Sequence, residues 1–176
     1  MSSLADEIRG RLLIVSCEGT AEEAAIRLLL DARRLLFGEN DLVAITRKRS
    51  AKSIQEEYLN YEYDRDVCIV RVHDSKKENF KLGRLYAGRF TVIDIYTRPE
   101  IEALVIAREG EWEKWRRSKK KPSDYCIQDL GLAHLKEREF LESYWDVASL
   151  ERAAKDYKRL RAVKGNEYCI ADMLAG

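Results

Sequence analysis

The sequence contains few of the residues that break helices and build turns. It has nine glycines and two prolines among 176 residues, about half the usual frequency. This scarcity disfavours a loop-rich β-sandwich or a proline-rich linker, and it favours long helices. Hydrophobic residues make up 45% of the chain, which is enough for a core and excludes a disordered protein.

Long apolar segments are absent too. No run of 18 apolar residues occurs, so a transmembrane helix is not expected. Residues 1–10 carry Asp6, Glu7 and Arg9 and have no apolar region of the kind that signal peptides contain. We therefore expect a cytoplasmic protein without a membrane partner.

The cysteine pattern gives no indication of a metal site. None of the four cysteines forms a CxxC pair, which disfavours structural zinc, and only two histidines are present to join them. In a cytoplasmic protein we expect these thiols to be reduced. The four are Cys17, Cys68, Cys126 and Cys169.

An excess of one charge is also lacking. The chain has 32 basic and 31 acidic side chains, for a net charge of +1. Net charge therefore neither favours nor excludes a nucleic-acid partner, and only the local distribution of charge is informative.

Short apolar segments alternate with amphipathic ones over the first hundred residues. Buried strands are predicted at residues 11–17, 42–46, 67–72 and 90–95. Helices are predicted at 20–37, 50–58, 76–86, from Pro99 onward, and at 150–161. Thr20 and Glu23 fit a capping box, with Thr20 as the N-cap.

This alternation predicts an α/β fold, a small open parallel sheet flanked by helices. Beyond residue 110 charged, helix-favouring segments dominate the sequence. We therefore interpret residues 1–110 as the α/β core and residues 111–176 as a helical C-terminal extension packed on the same domain.

Charged residues follow the predicted strands. Ligands of open parallel sheets bind at the carboxyl ends of the strands, and there Glu18 follows the first strand and Asp74 the third. Carboxylate oxygens are the ligands that Mg²⁺ prefers, and a bound metal assists phosphodiester hydrolysis. We expect Glu18 and Asp74 to lie together, as metal ligands or as a general acid and base.

Two basic clusters are candidates for phosphate contact. Arg47, Lys48, Arg49 and Lys52 follow the second strand at the same predicted edge, where they would neutralise nucleic-acid phosphates. The second cluster, residues 116–121, lies near Trp112, Trp115 and Tyr125. Aromatic residues beside basic ones suit single-stranded nucleic acid, but a solvated helix with its tryptophans in the core explains the same pattern. We interpret His73 and His134 as structural.

The order strand, Glu18-Gly19, helix, followed later by strand and Asp74, resembles the TOPRIM domain of topoisomerases, primases and OLD-type nucleases. A second segment, residues 98–104, narrows the resemblance to the RloB-like proteins. That family has an Asn-Pro-x-aromatic-Glu-x-Trp-like motif after a strand. Pro99 and Glu102 match it, whereas the Asn, the aromatic residue and the Trp are replaced by Arg98, Ile101 and Leu104.

The resemblance implies a TOPRIM-like, metal-dependent phosphotransfer protein that acts on DNA or RNA in antiviral defence, with Mg²⁺ or Mn²⁺ as cofactor and a separate ATPase as partner. It also implies that Glu18 is the acid/base glutamate and Asp74 the first aspartate of an Asp-x-Asp metal motif. Lys76 stands where the second aspartate belongs. Either Glu78, Asp94 or Glu102 completes the metal site, with Glu102 our third predicted ligand, or the site is degenerate.

Two further functions stay open. A degenerate site would leave an interaction module that binds an ATPase or nucleic acid without cutting it. A flavodoxin-like domain would instead bind a small phosphate ligand at residues 18–20. The sequence contains no Walker A loop, nucleophile elbow or dinucleotide-binding glycine motif, so ATP hydrolysis by this chain is not expected.

Overall fold

A computed structural model describes residues 2–162 and 166–176. Within them the chain forms four strands and eight α-helices, with short 3₁₀ turns at Glu39–Asp41 and Ile170–Met173. The strands are β1 Leu12–Cys17, β2 Leu42–Thr46, β3 Val67–His73 and β4 Thr91–Tyr96. The helices are α1 Leu4–Ile8, α2 Thr20–Asp31, α3 Ala51–Tyr58, α4 Ala103–Arg108, α5 Trp112–Ser118, α6 Pro122–Gln128, α7 Arg138–Tyr144 and α8 Val147–Leu160.

All four strands are parallel, in the order β2-β1-β3-β4. The predicted α/β class and its parallel sheet are therefore confirmed. In this order β1 and β3 are central neighbours, and Cys17 of β1 is in register with Val72 of β3. The residues that follow these two strands consequently emerge side by side at one edge of the sheet.

The sheet separates two apolar clusters, because successive side chains of a strand point to opposite faces. On one face Leu13, Val15 and Val70 pack with helices that include α2, α4 and α8. On the other face Ile14 and Ile69 join a smaller cluster. Its remaining buried members come from α3 and the residue after it, from the start of β3, and from the segment between β3 and β4: Ile54, Leu59, Val67, Leu82 and Phe90.

Residues beyond 110 contribute to the larger cluster. Leu150, Ala154 and Tyr157 of α8 are buried in it, as is Trp112 of α5. Helix α8 packs against α4. The segment at residue 168 adds to the sheet edge, since the Tyr96 N–H donates to the Tyr168 carbonyl over 2.8 Å. The division at residue 110 stays an interpretation.

Helix α2 differs from the prediction at both ends. It ends at Asp31 rather than near residue 37, and Arg33 then adopts a left-handed conformation with φ of 57°, which breaks the helical path. Its N-cap is Gly19, not Thr20. Glu22 rather than Glu23 reaches back, with its Oε2 accepting the Gly19 N–H over 3.0 Å.

Two other helix predictions were wrong. Residues 76–86 form no helix, because tertiary contacts fix them otherwise: Leu82 is buried under α3, and the Gly83 N–H donates to Gln55 Oε1 over 2.6 Å. The helix expected from Pro99 begins at Ala103 instead. Residues 100–102 form a turn in which the Ala103 N–H donates to the Glu100 carbonyl over 3.1 Å.

Within the described residues no helix is long and apolar enough to cross a membrane. All four cysteines are buried and free. Burial raises the pKa of each thiol, that of Cys68 to about 12, so none is a reactive thiolate at neutral pH.

Candidate functional site

Glu18 and Asp74 meet at the carboxyl ends of β1 and β3. The Glu18 N–H donates to the Val72 carbonyl over 3.0 Å, which continues the sheet bonding by one residue. The Asp74 N–H then donates to Glu18 Oε2 over 2.8 Å. The expectation that these two acids lie side by side is therefore confirmed, and adjacent parallel strands are the reason.

Gly19, at the N-cap of α2, leaves room for the Glu22 side chain beside it. A Cβ atom at this position would lie 3.2 Å from Glu22 Oε2, closer than side chains normally pack. The short glycine lets the Glu22 carboxylate fold back over the turn. Glu22 is thereby buried directly beside Glu18, with only 5% of its surface exposed.

A cavity of about 300 Å³ opens at this edge, and we call it the acid pocket. Among the residues that the structure describes, five carboxyl groups and two cations line it, so its walls carry an excess of acidic groups. The acids are Glu18, Glu22, Asp74, Glu100 and Glu102, and the cations are Arg47 and Lys136.

Burial and mutual repulsion raise pKa values in the acid pocket. Burial raises the pKa of Glu22 to about 7, with a further contribution from the neighbouring Glu18. Burial also raises the pKa of Asp74, and the charges of Glu18 and Glu100 add to it. The pKa of Glu102 is raised by burial first and then by Glu100. Such a pocket gains free energy by taking up protons or a cation.

The acid pocket fits a cation held by few protein ligands. Glu18 and Asp74 offer hard carboxylate oxygens, and Mg²⁺ commonly uses one or two carboxylates together with waters and substrate phosphate. In the described part of the chain, no three His, Cys, Asp or Glu side chains converge as a ready-made metal cage. The chemistry of the donors suits an open magnesium or manganese site and not a closed structural one.

The side chain of Lys76 contacts Glu167 and Tyr96. Its ammonium group is paired with Glu167 and lies 5.7 Å from the centre of the Tyr96 ring. Lys76, at the position where the resemblance implies a second aspartate, thus has its charge partly neutralised by Glu167. Lys76 supplies no metal ligand. Because Glu167 neutralises part of its charge, Lys76 repels a cation at Asp74 less strongly.

Of the three acids proposed to replace the missing aspartate, only Glu102 lines the acid pocket. Glu78 is paired with Arg71 and, over 3.3 Å, with Arg49. Asp94 accepts from Arg71 Nη1 over 2.9 Å. Glu102 is therefore the third acid whose position agrees best with a role near Glu18 and Asp74.

A second charged group, which we call the inner cluster, lies behind this edge under the segment that follows β3. It consists of Arg71, His73, Glu78 and Asp94. Arg71 and His73 are almost fully buried, and His73 Nε2 lies 2.8 Å from Asp94 Oδ1. Burial opposes ionisation of Asp94, but His73 and Arg71 hold its pKa below the usual range.

Sequence reasoning missed the inner cluster as a unit. The signal was present in β3, where Arg71 and His73 interrupt an apolar run at a spacing of two and so share one face. Asp94 is in register with Arg71 on the adjacent strand. Alternation along paired strands therefore identifies three of the four members.

The four predicted phosphate-binding cations divide into two pairs. Arg47 lines the acid pocket, and Arg49 Nη2 lies 2.9 Å from Glu18 Oε1. Lys48 and Lys52 are exposed, and each lies 3.9 Å from a carboxylate of α3. The structure thus brings the two arginines to the site and leaves the two lysines at its outer rim.

Two of the three aromatic residues near the second basic cluster are buried, and Trp115 is partly buried against the core. Trp112 and Tyr125 are buried, and the Trp112 ring makes an edge contact with Tyr157 of α8 at 6.2 Å. Trp115 contacts Trp112 at 4.9 Å. These rings are core contacts, so stacking of bases on Trp112 or Tyr125 is excluded by their burial.

A larger cleft of about 520 Å³ lies at the opposite end of the strands, beside Val67 and Thr91, which begin β3 and β4, and Arg11, which precedes β1. Asp66 is its only acidic lining residue within the described chain. It lacks the carboxylate grouping and lies away from the edge where parallel sheets bind ligands. The acid pocket is therefore the stronger candidate site.

Comparison of the chain with family models, curated proteins and solved structures found no match.

Proposed function

We propose that this protein is a Mg²⁺- or Mn²⁺-dependent nuclease of the RloB-like TOPRIM type, acting on DNA or RNA. The observation that carries the proposal is the pairing of Glu18 with Asp74 inside an under-neutralised acid pocket. The free, buried thiols agree with a reducing, cytoplasmic location. A role in antiviral defence beside a partner ATPase rests on the resemblance of the sequence alone.

Each group at the site has a defined part in this proposal. Glu18 and Asp74 hold the metal ion, which when bound polarises a phosphoryl oxygen. Arg47 and Arg49 bind the substrate phosphate as planar, bidentate donors. Glu22, whose pKa is raised to about 7, is a pocket carboxyl that is partly protonated near neutral pH and is suited to acid–base work.

The test is cleavage of single- and double-stranded DNA and of RNA by the purified full chain with Mg²⁺ or Mn²⁺. Glu18→Gln keeps the size of the side chain and removes its charge, so we expect the cleavage rate to fall by about 10²-fold or more. The matched control is Glu62→Gln, because Glu62 is exposed and makes no hydrogen bond or ion pair within the described residues. Equal rates for Glu18→Gln and wild type would remove Glu18 from the mechanism.

A module that binds without cutting is the second candidate. It is favoured by the absence of three convergent metal ligands in the described residues and by the lysine at position 76. Calorimetric titration with Mn²⁺ in the presence of a short oligonucleotide separates the two functions, once the heat of a metal–oligonucleotide blank is subtracted. Binding that Asp74→Asn weakens and Asp64→Asn does not supports the nuclease, whereas no heat of binding at millimolar Mn²⁺ supports the module.

A further inference from the structure

Both oxygens of the Glu18 carboxylate already have partners. Oε2 accepts the Asp74 N–H over 2.8 Å, and Oε1 lies 2.9 Å from Arg49 Nη2. The Arg49 guanidinium therefore occupies the place beside Glu18 Oε1 where a metal ion would bind. A metal ion that took Glu18 Oε1 would meet the positive charge of this guanidinium at close range.

Arg49 has a second acidic partner within reach. The same Nη2 atom lies 3.3 Å from Glu78 Oε1, and the other oxygen of Glu78 is held by the buried Arg71. Glu78 is thus a second acceptor for the same Arg49 nitrogen, and its pairing with Arg71 holds it in place. The guanidinium is shared between the acid pocket and the inner cluster, and it keeps a partner when it leaves Glu18.

The backbone beneath Arg49 is tied down while its side chain is accessible. Ser16 Oγ of β1 donates to the Lys48 carbonyl over 2.6 Å, and Ser50 caps α3 by accepting the Ser53 N–H over 3.1 Å. The Arg49 side chain itself is 43% exposed. A phosphate can reach this guanidinium without any change in the fold.

A guanidinium binds phosphate through two parallel hydrogen bonds, which are stronger than its single contact with Glu18. A phosphate that engages Arg49 would therefore draw it from Glu18 and free Oε1 for a metal ion. The phosphate and the metal ion both favour the position of Arg49 away from Glu18. Each of them therefore raises the affinity of the protein for the other by the same factor.

We propose that Arg49 couples substrate binding to metal binding: it covers Glu18 in the free protein and moves to a phosphate of the nucleic acid when substrate arrives. This rests on the proposed function. The metal and the nucleic acid consequently bind with positive cooperativity, and Arg49 is a positioning residue that keeps the metal site weak until substrate is present.

The test is Mn²⁺ binding, followed by the loss of the free-ion electron paramagnetic resonance signal, with and without a short single-stranded oligonucleotide. Both DNA and RNA forms of the oligonucleotide are used, and a metal–oligonucleotide blank is subtracted. For wild type we expect saturating oligonucleotide of the preferred form to tighten Mn²⁺ binding by about 5- to 50-fold. For Arg49→Gln we expect tight binding without oligonucleotide and less than about twofold further gain.

Two more variants make the outcome decisive. Arg49→Lys keeps a cation near Glu18 and is expected to bind Mn²⁺ weakly without oligonucleotide, as wild type does. Arg152→Gln, at an exposed arginine of α8 without an ion pair in the described chain, should behave as wild type throughout.

The possible failures are distinguishable. If Arg49→Gln binds Mn²⁺ as wild type does and oligonucleotide tightens both equally, the role of Arg49 is refuted and the metal site stands. If wild type and Arg49→Gln both fail to bind Mn²⁺ with or without oligonucleotide, the proposed function itself is refuted.

Discussion

The acid pocket and the inner cluster use the same residue types a few ångströms apart, yet their electrostatics are opposite. In the inner cluster every carboxylate has a cationic partner, and the pKa of Asp94 is lowered. In the acid pocket the carboxyl groups crowd one another, and the pKa values of Asp74 and Glu22 are raised. Paired charges of the first kind stabilise a fold, whereas unbalanced charges of the second kind mark a binding site.

The difference arises from where the two groups lie relative to the sheet. Arg71 is part of β3 and is buried on a sheet face, so its partners had to be supplied by neighbouring strands and loops. Glu18 and Asp74 come one residue after their strands, at an edge that opens into a cavity. Arg49 belongs to both regions because it touches Glu18 and Glu78.

The largest stability effect should come from breaking the inner cluster. Arg71→Met keeps much of the side-chain volume but leaves Glu78 and Asp94 without their shared cation. We expect the free energy of unfolding to fall by about 3–4 kcal/mol, measured by urea denaturation. Arg152→Met on the surface of α8 should change it by less than about 0.5 kcal/mol. Equal effects of the two variants would show that the cluster is not structural.

Glu22→Gln tests the acid pocket, where the pKa of a carboxyl group is raised and not lowered as in the inner cluster. Because the pKa of Glu22 is raised, its protonated carboxyl group contributes fully to the free energy of unfolding below pH 4.5, the ordinary pKa of a glutamate. This contribution is lost as pH rises through about 7. Glutamine cannot ionise and retains an acceptor for the Gly19 N–H. The variant should therefore gain about 2–3 kcal/mol relative to wild type between pH 4 and pH 8, measured by denaturation at each pH. A gain on lowering the pH instead would contradict this picture.

Asp94→Asn should show a pH dependence of reversed sign and smaller size. Because the pKa of Asp94 is lowered, its ion pairs stabilise the fold above its ordinary value of 3.8 and are lost as pH falls through the folded value. At neutral pH the free energy of unfolding of the variant should be about 1–2 kcal/mol lower than that of wild type. The effect is smaller than for a fully buried ion pair, because the Asp94 side chain is 34% exposed. The deficit should shrink toward pH 3. A deficit that is constant with pH would contradict the assignment of the effect to charge.

The smallest effect is expected outside both regions. Lys52→Gln removes a highly exposed charge whose only ion pair in the described chain is a 3.9 Å contact with Glu56. Stability should change by less than about 0.5 kcal/mol. If Lys52 contacts a duplex phosphate, the slope of log affinity against log salt should fall by about 0.9. An unchanged slope would exclude Lys52 from the nucleic-acid contact.

The architecture could be predicted from the sequence because apolar β-branched segments alternate with amphipathic ones. The bounds of β2 were predicted correctly, and the meeting of Glu18 with Asp74 followed from parallel topology alone. The irregular path of residues 76–86 depends on contacts with Gln55 and the cluster under α3, which no local pattern contains. The partner of Lys76, Glu167, lies 91 residues away, so the neutralisation of that lysine was not predictable from the sequence.

The central claim is that Glu18 and Asp74 together hold a divalent metal ion. Because Arg49 covers Glu18 in the free protein, the most direct test is a crystal of the protein with a short oligonucleotide, soaked in millimolar Mn²⁺. The account predicts an anomalous-scattering peak in the acid pocket at coordination distance, about 2 Å, from a carboxylate oxygen of each residue. The peak should vanish in Asp74→Asn and persist in Asp64→Asn. An acid pocket without the peak in wild type, or a peak that ignores Asp74, would contradict the account.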